Sequence, residues 1–262
     1  VQRLADEQRL LSRMQQLRSG GVREAPAAEV SSEPGAGVID EEASYYMFEH
    51  SFRGSEEEIR DRQRRYVPLF TQAPGPVLDI GCGRGELLEL FRDAGIAAVG
   101  VDSNRYMVER CRQKGLNVVR QDAVAYLSAC AGGSWGGIIS CQVVEHLSPD
   151  LLMRLIYLAY EKLLPGGKLV IETLDPRDIV TAANEFYRDL SHRTHVHPET
   201  LAFLVNSAGF TRCVVEKSHP AGDRALVRLN DESDKGKTIQ ENFDRLSTAL
   251  FRGREYVLIA ER

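Results

Sequence analysis

The stretch Val77-Leu-Asp-Ile-Gly-Cys-Gly-Arg-Gly-Glu86, with Val99-Gly-Val-Asp102 about twenty residues on, reads as strand, glycine turn, helix, strand and acidic tip. Val77 to Ile80 has the short apolar character of a buried parallel strand. Gly81, Gly83 and Gly85 let the backbone turn tightly and approach a ligand with no Cβ in the way. Leu87, Leu88, Leu90 and Phe91 then follow at helical spacing, so a helix begins where the turn ends. Asp102, at the end of the next strand, can accept hydrogen bonds from both hydroxyls of a ribose. These features together predict an α/β fold with a nucleoside-binding crevice.

The glycines run G-x-G-x-G rather than the G-x-G-x-x-G of a dinucleotide site, which weakens a pyrophosphate reading. Asp79 and the turn amides suit the amino and carboxylate ends of a methionine-like group instead. Asp102, Gln121-Asp122-Ala123, Ile138 to His146 and Leu164-Pro-Gly-Gly-Lys-Leu-Val-Ile171 follow in order, and the whole resembles the class I S-adenosylmethionine-dependent methyltransferases. That resemblance implies a Rossmann-like seven-stranded doubly wound sheet with a C-terminal antiparallel hairpin, plus an N-terminal helical cap. It also implies S-adenosyl-L-methionine as cofactor, met by Asp79, Gly81, Gly83, Asp102, Ser103, Asp122 and Ala123.

At 262 residues and 43% hydrophobic content, the chain can bury one sizeable core plus appendages. A net charge of -5 argues against a general nucleic-acid binder, which needs a basic surface to neutralise phosphates. Five cysteines without a framework spacing suggest reduced thiols and a cytoplasmic setting. No signal peptide or long apolar span is read, so any membrane association is expected to be peripheral, at the inner face.

Residues 1–21 carry Leu4, Leu10, Leu11, Met14 and Leu17 at helical intervals and predict an amphipathic helix for self-association or a protein partner. Residues 22–43, rich in Ala, Pro, Ser, Glu and Gly, read as a flexible linker. A helical cap is expected over 44–73, with Ser55 and Glu58 spaced as a capping box, and the cofactor-binding domain over 74–262. Within it, Pro165-Gly166-Gly167 is expected to turn the chain into a strand from Lys168 to Glu172.

Moving a methyl group to an oxygen at neutral pH calls for a base, and histidine titrates nearest that range. His146 follows the fourth strand, and His192, His195 and His197 cluster before a helix. Three readings of this set stand open. One histidine is a general base; or Glu145, His146, His192 and His195 hold a divalent cation; or the rings are structural, His197 before Pro198 above all.

Tyr45-Tyr-Met-Phe-Glu-His-Ser-Phe-Arg-Gly54, Gln142-Val-Val-Glu-His-Leu147 and Phe186-Tyr-Arg-Asp-Leu-Ser-His192 are similar to segments of bacterial O-antigen and polysaccharide methyltransferases. This implies cofactor contacts from Tyr46, Arg53 and Gln142 and an acceptor side at His146 and His192, with a saccharide or glycoconjugate as the group methylated. Acceptor alternatives are a small secondary metabolite or quinone precursor, and a non-catalytic cofactor-binding assembly subunit is the rival of another class.

Overall fold

The computed structural model describes residues 40–218, Leu226 and 231–262. The helix read over 1–21 and most of the linker read over 22–43 lie outside the described residues. Two compact units meet at the Arg53–Gly54 bond. In the first, a helix spans Glu41–Phe52, starting ahead of the expected Ser44 because the Asp40 carboxylate accepts from Ala43 N at 3.2 Å. Arg53 ends it and pairs with Glu49 one turn back at 3.1 Å.

The second unit is built on a seven-stranded sheet. Its strands are β1 (Val77–Ile80), β2 (Ala98–Asp102), β3 (Val118–Arg120), β4 (Trp135–Cys141), β5 (Leu163–Leu174), β6 (Thr211–Lys217) and β7 (Glu255–Glu261), in the spatial order β3-β2-β1-β4-β5-β7-β6. The first five run parallel, and β7 is antiparallel to both β5 and β6. The doubly wound sheet with its antiparallel end is thus present as the sequence predicts.

Period-two alternation sends successive side chains of the central strands to opposite faces, and both faces are covered. Leu78 and Ile80 point into the layer formed with Leu155, Ile156 and Leu201. Val77, Ile139, Val170 and Val257 point the other way, into the layer with Tyr66, Phe70, Leu87 and Phe91. Ser55 caps the helix Glu56–Gln63 with the reciprocal bonds of a capping box: Glu58 N donates to Ser55 Oγ at 3.2 Å, and Ser55 N to Glu58 Oε2 at 2.8 Å.

β5 begins five residues before the expected Lys168. The Pro165-Gly166-Gly167 segment does not leave the sheet, because Gly166 N donates to Arg262 O at 2.8 Å and Arg262 N to Gly167 O at 2.9 Å. The end of the chain supplies the partner that a purely local reading lacks.

The direction of winding reverses between β1 and β4, which pair in register from Val77–Gly137 to Ile80–Ser140. Such a reversal opens a crevice at the carboxyl ends of the two strands. Gly81 follows β1 there and Gln142 follows β4. A Cβ on Gly81 would stand 2.3 Å from Val143 Cγ2, so the two loops lie against each other and residue 81 can carry no side chain.

Candidate active site

The glycine turn leaves β1 with φ of +67° at Gly81, +53° at Gly83 and +84° at Gly85, a left-handed run that side chains disfavour. Gly81 N donates to Val101 O at 2.8 Å, tying the turn to β2. Asp102, the last residue of β2, accepts from Gly83 N at 3.0 Å through Oδ2 and from Asn104 N at 2.8 Å through Oδ1. The acid is therefore aimed by the turn itself. Asp79 is buried within β1, two residues before the turn, and Ser103 follows Asp102 and accepts from Arg120 through its carbonyl.

Asp122 lies on the same edge, since Gln121 N donates to Asp102 O at 3.1 Å. Its carboxylate caps the helix Ala123–Ala129 by accepting from Ala125 N at 2.9 Å, which sets Ala123 as the first helical residue. At the tip of β4, Gln142 has a φ of +58°, a conformation costing a non-glycine residue on the order of 1 kcal/mol. Its Nε2 is buried with no acceptor from the protein. A strained backbone presenting an unmet donor beside the crevice fits a polar ligand bound there. The structure thus gathers Asp79, Gly81, Gly83, Asp102, Ser103, Asp122, Ala123 and Gln142 on one edge of the sheet. Tyr46 and Arg53 belong to the first unit, on and at the end of its helix, and their part in the site rests on the sequence resemblance.

Beyond the tip of β4 lie the histidines. Glu145 and His146 sit in a short helical turn after β4, and the loop carrying the later histidines is pinned to them: Arg193 N and Thr194 N donate to Glu145 O at 2.8 and 3.1 Å. The rings of His146 and His192 are 4.7 Å apart. His192 Nδ1 meets the carbonyl of Phe186 at 2.7 Å, and since a carbonyl only accepts, Nδ1 carries the proton and the neutral ring keeps its lone pair on Nε2. His195 stacks on Phe186 at 3.5 Å, and its basicity is lowered by partial burial and by His192. His197 caps the helix Pro198–Ser207, accepting from Glu199 N at 3.3 Å, which is the structural role its place before Pro198 suggests.

Burial pushes the Glu145 carboxyl up to about 8, with Glu172 and Glu255 nearby adding to the effect. Its Oε2 accepts from Thr173 Oγ1 at 2.8 Å, and Oε1 is buried without a partner. Burial, and then the neighbouring His192, push His146 down to about 4. One ligating atom from each of Glu145, His146 and His192 falls within a 4.8 Å group, the spacing a cation would need. The Nδ1 of His146 is hydrogen-bonded to Ser191 at 2.9 Å, and the group has the chemistry both to share protons and to ligate a cation. The part of this network absent from the sequence reading is Thr173, Asp189, Ser191 and the Phe186 carbonyl.

Residues 49–216 match a family described as a methyltransferase domain. A solved S-adenosylmethionine-dependent methyltransferase from Archaeoglobus fulgidus is 38% identical, with a TM-score of 0.78 over 83% of this chain and 99% of its own. The chain belongs to the S-adenosylmethionine-dependent methyltransferases. Among curated relatives, the ubiquinone biosynthesis O-methyltransferase of Cereibacter sphaeroides is 31% identical over 147 residues, and the match spans 51% of this chain and 59% of that protein. The geranyl diphosphate C-methyltransferase of Streptomyces coelicolor, solved with S-adenosyl-L-homocysteine, shares the fold at a TM-score of 0.55 and 16% identity. The methyltransferase thus has the fold and cofactor class its glycine turn implies, and the curated relative named here is one of ubiquinone rather than glycan synthesis. Among the described residues, no helix is long and apolar enough to cross a membrane.

Proposed function

We propose that this methyltransferase transfers a methyl group to a hydroxyl oxygen of a saccharide or glycoconjugate, with His192 as the general base. The observation that carries the reading is the fixed tautomer of His192, whose Nδ1–H is committed to Phe186 O at 2.7 Å and whose basic Nε2 is left over. The rings of Phe186, Tyr187 and His195 stand next to it, and Tyr187 is 67% exposed, a free aromatic face of the kind that stacks on a sugar.

Bound S-adenosylmethionine supplies an electrophilic methyl group on a sulfonium centre. Asp102 would hold its ribose, Asp79 and the amides of the Gly81–Gly83 turn its methionine end, and Gln142, Ser103, Asp122 and Ala123 the remaining polar atoms. Tyr46 and Arg53 are assigned to the same ligand by resemblance. The acceptor hydroxyl has to lose its proton as it attacks, and the low basicity of His146 leaves that task to His192. A quinone-precursor phenol is the second reading, favoured by the relatives in ubiquinone biosynthesis.

The test offers lipid-linked saccharides, nucleotide sugars and substituted catechols to the purified enzyme and measures S-adenosylhomocysteine release. His192→Gln is expected to lower kcat by about 100-fold on the accepted substrate, the usual contribution of a general base, with cofactor affinity by calorimetry unchanged. Turnover on catechols alone would replace the glycan reading by the quinone one. Undiminished turnover in His192→Gln would remove the base.

A further inference from the structure

Asp189 sits between the two imidazoles of the acceptor end. It is only 8% exposed, and its Oδ1 accepts from Ser191 N at 2.8 Å and from Ser191 Oγ at 2.6 Å. A serine hydroxyl has one hydrogen, and here it goes to Asp189, so toward His146 Nδ1 at 2.9 Å Ser191 Oγ can act only as acceptor. The second carboxylate oxygen, Oδ2, lies 3.9 Å from His192 Nε2. That separation is no hydrogen bond for a neutral ring and becomes an ion pair once the ring is protonated. One carboxylate therefore serves both histidines, His146 through the serine hydroxyl and His192 directly.

The geometry points to Asp189 as the positioning carboxylate of the acceptor site, which holds the loop of His192 and stabilises the imidazolium formed when that ring takes up the acceptor's hydroxyl proton. Resting on the O-methyl-transfer reading above, the step balances as follows. The acceptor oxygen bonds to the methyl carbon while its O–H bond breaks; the proton goes to His192 Nε2, and the electron pair of the breaking carbon–sulfur bond stays with sulfur. The positive charge thus passes from the sulfonium to the imidazole, where Asp189 meets it.

The other groups facing His192 cannot do this. His146 is a second imidazole 4.7 Å away, His195 is a third stacked on Phe186, and the Glu145 carboxyl, within the same 4.8 Å group, is buried and already bonded to Thr173. Ser191 binds its own proton to Asp189 and so organises the carboxylate without adding charge.

NMR titration of histidine-labelled protein and the pH profile of kcat test the assignment. In Asp189→Asn the His192 midpoint is expected to lie at lower pH than in the wild type, as for loss of a neighbouring opposite charge. The rising limb of kcat against pH should move the same way, and kcat should fall by about 10-fold or more, with cofactor affinity unchanged. Ser191→Ala, which removes the hydroxyl bond to Asp189 but no charge, should leave the His192 midpoint in place. If Asp189→Asn does not fold, Asp189→Ser, which can still accept from Ser191 N, makes the same comparison. A His192 midpoint that stays put in either folded variant, or that moves equally in Ser191→Ala, overturns the role of Asp189. A midpoint that moves in an enzyme that methylates no hydroxyl acceptor upholds the pairing and defeats the O-methyl reading.

Discussion

Gly81 and Gly95 have nearly the same backbone, with φ of +67° and +70°, and quite different surroundings. A Cβ at Gly95 meets nothing within 4 Å, whereas at Gly81 it meets Val143 at 2.3 Å. Gly95→Ala should therefore cost only the left-handed strain of about 1 kcal/mol. Gly81→Ala adds a collision between the two loops that border the crevice, and should lower Tm further while weakening cofactor binding. Paired thermal and calorimetric measurements check both, and equal losses in the two variants would show that the β1 and β4 loops do not press together. Gly81, Asp102 and the Ser55 cap were legible in the sequence because a turn and a cap are local demands on residue type. The tautomer of His192 was not, because the carbonyl that sets it belongs to Phe186 and is placed by the path of the loop. The aspartate between the histidines was invisible for the same reason, since nothing in the spacing of Asp189 and His192 says which atoms meet.

At the scale of the element, the helix Glu86–Asp93 starts on a buried ion pair. Arg84 Nε donates to Glu86 Oε1 at 2.7 Å with both side chains 1% exposed, and Arg84 Nη2 donates to Gly54 O at 3.1 Å. Lys114 closes the arrangement from the next helix, donating to Arg84 O at 2.9 Å and pairing with Glu89 and Glu56. Breaking a buried pair from one side leaves a charge without compensation, at a cost of about 3–5 kcal/mol, while removing both partners is often nearly neutral. Arg84→Met should accordingly destabilise by that amount in denaturant unfolding, and Arg84→Met with Glu86→Leu should recover most of it. A double variant no better than the single one would mean that the bond to Gly54, rather than the pairing of charge, is what Arg84 contributes. The sequence announced this helix through the spacing of Leu87, Leu88, Leu90 and Phe91, four apolar side chains that all prove buried. It placed the start of β5 too late, because pairing with the end of β7 is a long-range event that no local pattern encodes.

For the whole molecule, the two displaced groups of the acceptor end set opposing limits on stability with pH. Glu145 titrates near 4.5 when unfolded and about 8 in the folded protein. Between those values the native state keeps a proton that the unfolded chain has released, so stability falls as pH rises and levels off above the upper one. His146 titrates near 6.5 unfolded and about 4 folded. Across that window the unfolded chain holds a proton that the native state refuses, so stability rises with pH. The two slopes oppose each other between 4.5 and 6.5, leaving Glu145 alone to act from 6.5 to 8. Over that interval of pH the loss should be on the order of 2 kcal/mol. Glu145→Gln, uncharged throughout and close in shape, is expected to unfold with a stability that is flat from pH 6.5 to 8, so that it gains on the wild type as pH rises. His146→Gln should in turn reduce the loss of stability on the acid side. Denaturant midpoints measured at half-unit steps of pH separate the two contributions. A constant difference between wild type and Glu145→Gln across the alkaline interval would mean that Glu145 is already ionised at neutral pH. The cluster would then present a fixed anion to His146 and His192, and chelation followed by magnesium rescue would become the experiment to run on it.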